Sequence, residues 1–151
     1  MRVVLICALL CCAACGEKID AADKADVLSY LEETEKDLKQ NLDMTRSMCE
    51  GTLKGDEVDS RMGEMTRTLE SNRQSNLFGK LMESKLPDRI KEKVDRLSVL
   101  RSSASLTWGD ITMARIKNQP GDESKICGDV AKTESDVRAA ITDLRTEMEK
   151  P

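Results

Sequence analysis

The chain has 151 residues, 39% of them hydrophobic and 34% charged, with a formal net charge of −4. That length suits one domain, and a mild acidic balance without a basic block leaves no electrostatic footprint for nucleic acid. The sequence contains no histidine, which removes histidine triads, imidazole acid–base chemistry and most zinc and iron sites. Neither a Gly-rich phosphate loop nor a G-x-S-x-G elbow occurs, so no nucleophile–base set points to an enzyme. No cofactor is implied.

Arg2 is the only charge before Glu17, and between them runs "VVLICALLCCAAC". A basic start, a short apolar stretch and small residues at its end make a signal-peptide pattern. The run is too short to span a bilayer, which takes about 17–25 apolar residues. Its end, Cys12-Ala13-Ala14-Cys15-Gly16, resembles the lipobox of bacterial lipoproteins, with Cys12 standing where that family usually has Leu. The resemblance implies a signal peptide over residues 1–14. It also implies fatty acylation (palmitate) of Cys15 as the first mature residue, and membrane attachment through that lipid on the periplasmic side. Gly16, rather than Asp, after the anchor favours the outer membrane by the same resemblance. The other reading is an ordinary secretory signal cleaved near Ala14 or Cys15, giving a secreted protein. Cys7, Cys11 and Cys12 lie inside the apolar run without polar neighbours, so they read as small apolar residues of a removed peptide, not as metal ligands.

The remainder, residues 15–151, reads as a single helical domain. Residues 20–50 place Val27, Leu31, Thr34, Leu38, Leu42, Thr45 and Met48 on one face, and Gly51 follows as a left-handed stop. Asp56 is a candidate N-cap for a second helix, 56–85, striped by Val58, Met62, Met65, Leu69, Asn72 and Asn76. There Leu77 and Leu81 extend a neighbouring stripe. Pro87 ends it, and a third helix, 88–117, carries Ile90, Val94, Leu97, Arg101, Ala104, Trp108 and Ile111. Its stretch "RSSASLTWGD" is poor in helix formers, which allows either a close neighbour or a local kink. After the "NQPGD" turn, a fourth helix, 122–149, shows Ile126, Val130, Val137, Ala140, Leu144 and Met148. Short links between long helices favour an all-α, antiparallel up-down-up-down four-helix bundle. Its seam includes Thr34, Asn41, Thr45, Asn72, Asn76 and Arg101, and is polar for a core.

Removal of the signal leaves Cys49 and Cys127 beside the acylated Cys15. In such a bundle the end of the first helix and the start of the fourth share a pole, so Cys49 and Cys127 are expected to form a disulfide in an oxidising compartment. The membrane-side pole then holds Cys15, the Leu86-Pro87-Asp88 link and the C-terminus. Met44, Met48, Met62, Met65 and Met113 all fall in the distal half. Methionine fills irregular aliphatic cores, and that is the leading reading; a Cu(I) site or an adaptable binding surface are the alternatives. Residues 17–50 carry ten acids and five bases, and residues 87–120 four acids and seven bases. With these helices diagonal in a square, the molecule would present opposite-signed faces.

These features describe a membrane-anchored, non-enzymatic protein-binding module. An assembly accessory, an inhibitor or immunity factor, and an exclusion factor are the jobs that fit. In gross design alone it is similar to the pilotin class. The alternative is a carrier of a small apolar ligand or Cu(I) in a methionine-rich interior.

Overall fold

The computed structural model describes residues 19–53, 55–74 and 76–150. Among them are five helices and no strand: α1 (Ala21–Cys49), α2 (Gly55–Gln74), α3 (Leu77–Glu83), α4 (Asp88–Ile116) and α5 (Pro120–Glu149). Cys15, like the rest of the signal-like segment, lies outside the described residues.

Local chemistry explains most boundaries. Asp20 caps α1 by accepting the Asp23 N–H at 2.7 Å, which satisfies one of the orphan donors of the first turn. Gly51 at φ 66° turns the chain away after the Glu50 N–H has bonded the Arg46 carbonyl. Asp56 sits inside the first turn of α2 rather than capping it, where its charge still favours the positive end of the helix dipole. Pro120 occupies the start of α5, where its missing N–H costs nothing, so this helix begins before the expected residue 122. Through "RSSASLTWGD" α4 is unbroken.

The expected single helix 56–85 is instead two. Asn76 adopts a left-handed conformation, φ 44°, which an L residue other than Asn or Gly rarely takes. That residue ends one helical phase and starts another, so Leu77 and Leu81 point where an uninterrupted α2 would not send them.

Three long helices pack mutually: α1 on α4, α1 on α5 and α4 on α5, with α3 laid across α1 and α4. Side-chain pairs fix their directions. Asp37 meets Arg101 and Asn41 meets Ser105, so α1 and α4 run the same way. Glu35 meets Arg145, Arg46 meets Glu134 and Cys49 meets Cys127, so α5 opposes α1. Arg89–Glu147, Lys93–Asp143 and Arg115–Glu123 show α5 opposing α4 as well. Helices α1 and α4, expected to be diagonal in a square, are in direct contact instead. Acidic α1 and basic α4 touch, and part of their charge is neutralised between them instead of forming separate faces.

The main core joins Val27, Leu31 and Leu38 of α1 with Ile90, Val94 and Leu97 of α4 and Val137, Ile141 and Leu144 of α5. Each such side chain contributes about 1.5–3 kcal/mol when fully buried. Tyr30 stacks at a tilt on Phe78, centroids 6.4 Å apart, holding α3 to α1. A satellite cluster of Met44, Met48 and Ile111 gathers Val58 and Met62 of α2 near the disulfide.

The polar seam is tolerated because its groups are bonded locally. Thr34 Oγ1 donates to the Tyr30 carbonyl, Asn41 Nδ2 to the Asp37 carbonyl and Thr45 Oγ1 to the Asn41 carbonyl, each at 2.8 Å. Such i→i−4 bonds let a hydroxyl be buried without an interhelical partner, whereas the Asn41 amide also reaches Ser105 across the interface.

Candidate functional site

Three places could meet another molecule. The first is a cleft of about 500 Å³ bounded by α1, α3 and α4. Tyr30, Leu77 and Phe78 form its apolar side, and Ser98, Arg101 and Ser102 its polar side. Arg101 is the organising residue. Its guanidinium bonds the buried Asp37 carboxylate and lies 5.8 Å from the Tyr30 ring centroid, within cation–π range. Burial pushes the Tyr30 phenol above its ordinary pKa, and the Arg101 charge partly opposes this, so the phenol stays protonated at neutral pH. The Trp108 indole Nε1 and the Asn41 Oδ1 are buried with no hydrogen-bond partner among the described residues. The cleft offers hydroxyls, a guanidinium and aromatic carbon. Its neighbouring carboxylate, Asp37, is held by Arg101.

The second place is the disulfide pole. Cys49 and Cys127 are bonded, with Cα atoms 5.7 Å apart. This closes the end of α1 onto the beginning of α5. Bonded sulfurs are no longer thiolates, so they leave the set of soft metal ligands. Met44 and Met48 are each 1% exposed and pack with Ile111, Trp108 and Ile126. Met62 joins them from α2. Met113 does not: it is 48% exposed on the other side of α4. The Met65 side chain lies outside the described residues. The structure thus brings together three of the five methionines and leaves one out. Among the described residues no group of three or more His, Cys, Asp or Glu is placed to hold a metal ion.

The third place escaped the sequence reading. Val99, Leu106, Met113 and Ile116 of α4 are 63%, 64%, 48% and 72% exposed. Residues seven apart return to nearly the same side of a helix, so Val99, Leu106 and Met113 form one outward row. The signal was present as a second apolar period in α4, beside the one that builds the core. A shallow groove between α4 and α5, near Met113 and Ile126, borders its far end.

No helix among the described residues is long and apolar enough to cross a membrane. Comparison of the chain with protein families, with curated proteins and with solved structures finds no match.

Proposed function

We propose that this chain is a lipid-anchored, non-enzymatic protein-binding module displayed at a bacterial outer membrane. One observation carries the binding role: the outward apolar row Val99, Leu106 and Met113 on α4, flanked by exposed Ile116. Single exposed apolar residues are ordinary, but an aligned row on an otherwise polar helix surface marks an interaction face. The lipobox-like Cys12-Ala13-Ala14-Cys15 supports the anchor, with Cys15 as the acylated residue. The disulfide fits an oxidising, extracytoplasmic setting. In this reading the domain is an antiparallel up-down-up-down bundle in which α2 and α3 together form the second, descending segment. The shared direction of α1 and α4 and the opposed α5 support that path.

A second reading has its own observation. The cleft beside Arg101 would suit a small ligand with an apolar body and an anionic or hydroxylated end, which makes the protein a carrier. The two readings separate on variants. Fatty-acid labelling should mark the wild type and vanish in Cys15→Ser. Crosslinking in intact membranes should yield a protein adduct that Leu106→Arg abolishes and Arg101→Gln leaves in place. An adduct indifferent to Leu106→Arg, together with ligand uptake lost in Arg101→Gln, would favour the carrier.

A further inference from the structure

Helix α4 has two apolar sides. Ile90, Val94, Leu97, Ala104 and Ile111 are buried against α1, α3 and α5. Val99, Leu106, Met113 and Ile116 lie on the opposite side, exposed, with the small residues Ser102 and Gly109 between them. From Val99 to Ile116 the row extends about 25 Å at 1.5 Å per residue. One turn before it stands Asp95 and one turn after Met113 stands Lys117, both exposed. Neither makes an ion pair among the described residues. Gly109 has no internal reason to be glycine: its φ is not positive, and a Cβ there would meet nothing within 4 Å. Its missing side chain leaves a notch in the outward face.

Resting on the reading of this face as a docking surface, we propose that its occupant is the same face of a second copy of this chain. The two α4 helices pack antiparallel about a two-fold axis beside Thr107 and Trp108. That register puts Val99 opposite Ile116 of the second copy, Leu106 opposite Gly109, and Met113 opposite Ser102. Each bulky side chain therefore meets a small residue or an apolar partner, as tight helix packing requires. Lys117 comes within one helical turn of Asp95 of the second copy, and the symmetry repeats the pair at the other end. A parallel pairing would instead set Leu106 on Leu106, Gly109 on Gly109, Asp95 on Asp95 and Lys117 on Lys117. Size and charge both oppose it. The axis is perpendicular to the helices, so two tethered copies would lie along the membrane rather than stand upright on it.

The test is sedimentation equilibrium of the natively processed protein in density-matched detergent, with circular dichroism to confirm that each variant is folded. The wild type should show a monomer–dimer equilibrium that Leu106→Arg abolishes. Gly109→Leu should weaken the dimer about tenfold or more, although it makes the face more apolar and improves helix propensity. Asp95→Lys should weaken it several-fold, and adding Lys117→Asp should restore it. A wild type that remains monomeric at its highest soluble concentration overturns the proposal, as does a Gly109→Leu variant that dimerises as tightly as wild type. If the wild type is monomeric yet its membrane adduct with another protein is lost in Leu106→Arg, self-association fails while the docking face survives. If neither dimer nor adduct depends on Leu106, both fail.

Discussion

The disulfide offers the most quantitative test of how this fold is held together. Cys49 is the last residue of α1 and Cys127 lies in α5, with 78 residues of separation. Replacing both by Ser removes the bond without leaving a free thiol. In the chain-entropy account, a loop of that size lowers the unfolded chain's entropy enough to stabilise the fold by about 4.5 kcal/mol at 25 °C. Unfolded chains are more compact than that account assumes, so a loss of roughly 3–4.5 kcal/mol is expected. At about 3 °C per kcal/mol for a domain of this size, the melting temperature should fall by roughly 9–14 °C. Urea denaturation adds an independent check. Because the effect acts on the unfolded state, the variant should unfold to a more expanded chain and show a steeper dependence on urea. A loss under about 1 kcal/mol with an unchanged urea slope would refute the reasoning, since a cross-link over so long a loop must constrain the unfolded chain.

Three further outcomes follow from particular contacts. Met44→Leu and Met48→Leu, at sites 1% exposed, should each cost less than about 1.5 kcal/mol in thermal melts, because Leu conserves volume; tight Cu(I) binding that the paired Leu variant loses would overturn their packing role. A Cβ on Gly79 would press on Asn76 Oδ1, the far end of an exposed side chain that can swing aside, so Gly79→Ala, which improves helix propensity inside α3, should hold or slightly raise the melting temperature. A clear drop in melting temperature that Asn76→Gly, which suits φ 44°, then recovers would show instead that the Asn76 side chain is held in place. The Asp143 carboxyl is held below its ordinary pKa chiefly by the Lys93 hydrogen bond, and Glu147 chiefly by that of Lys150, with Lys93 and Arg89 assisting. Depressed carboxyl values mean that this stability is present above the ordinary carboxylate pKa of about 4 and is lost as pH falls below it. Lys93→Met should therefore flatten the acid limb of the urea midpoint against pH, and an unaltered limb would discount these pairs.

Helical period and the two cysteines were legible in the sequence because each follows from local rules. Apolar steps of three and four mark α1, α4 and α5 directly. The Cys49–Cys127 bond follows from helix ends that must share a pole. The division at Asn76 was harder to read, because "NRQSNLFGK" contains no proline and its glycine comes only after the break. Its trace was the change of stripe at Leu77 and Leu81, a signal that a continuous helix with two apolar sides, such as α4, also gives. Direct packing of α1 on α4 was hidden for another reason. The sequence places Arg101 in the seam but marks no partner for it, and Asp37, only 4% exposed at its side chain, is the residue that meets it across the interface. The outward row of α4 was overlooked because one apolar stripe already accounted for the helix. Cys15 lies outside the described residues, so the anchor rests on the lipobox resemblance alone.

The position of the polar seam has a physical explanation in the connectivity. A short turn sets α5 against α4, since only Lys117, Asn118 and Gln119 separate them. The disulfide sets α5 against α1. Helices α1 and α4 run in the same direction, and no tight turn or covalent bond joins them directly; the turn and the disulfide align them only by way of α5. Apolar faces alone permit sliding, because Leu and Ile one turn apart are nearly equivalent. Polar pairs do not. The Asp37–Arg101 ion pair and the Asn41–Ser105 contact lie at this interface. Arg115 reaches across it to donate to the Met48 carbonyl at 2.5 Å, at the negative end of the α1 dipole. A slide of one helical turn, about 5.4 Å, would part Arg101 from Asp37 and withdraw the cation from the end of α1. These contacts therefore lie at the one long-helix interface that no turn or covalent bond joins directly, where removing one partner of the buried pair leaves the other uncompensated.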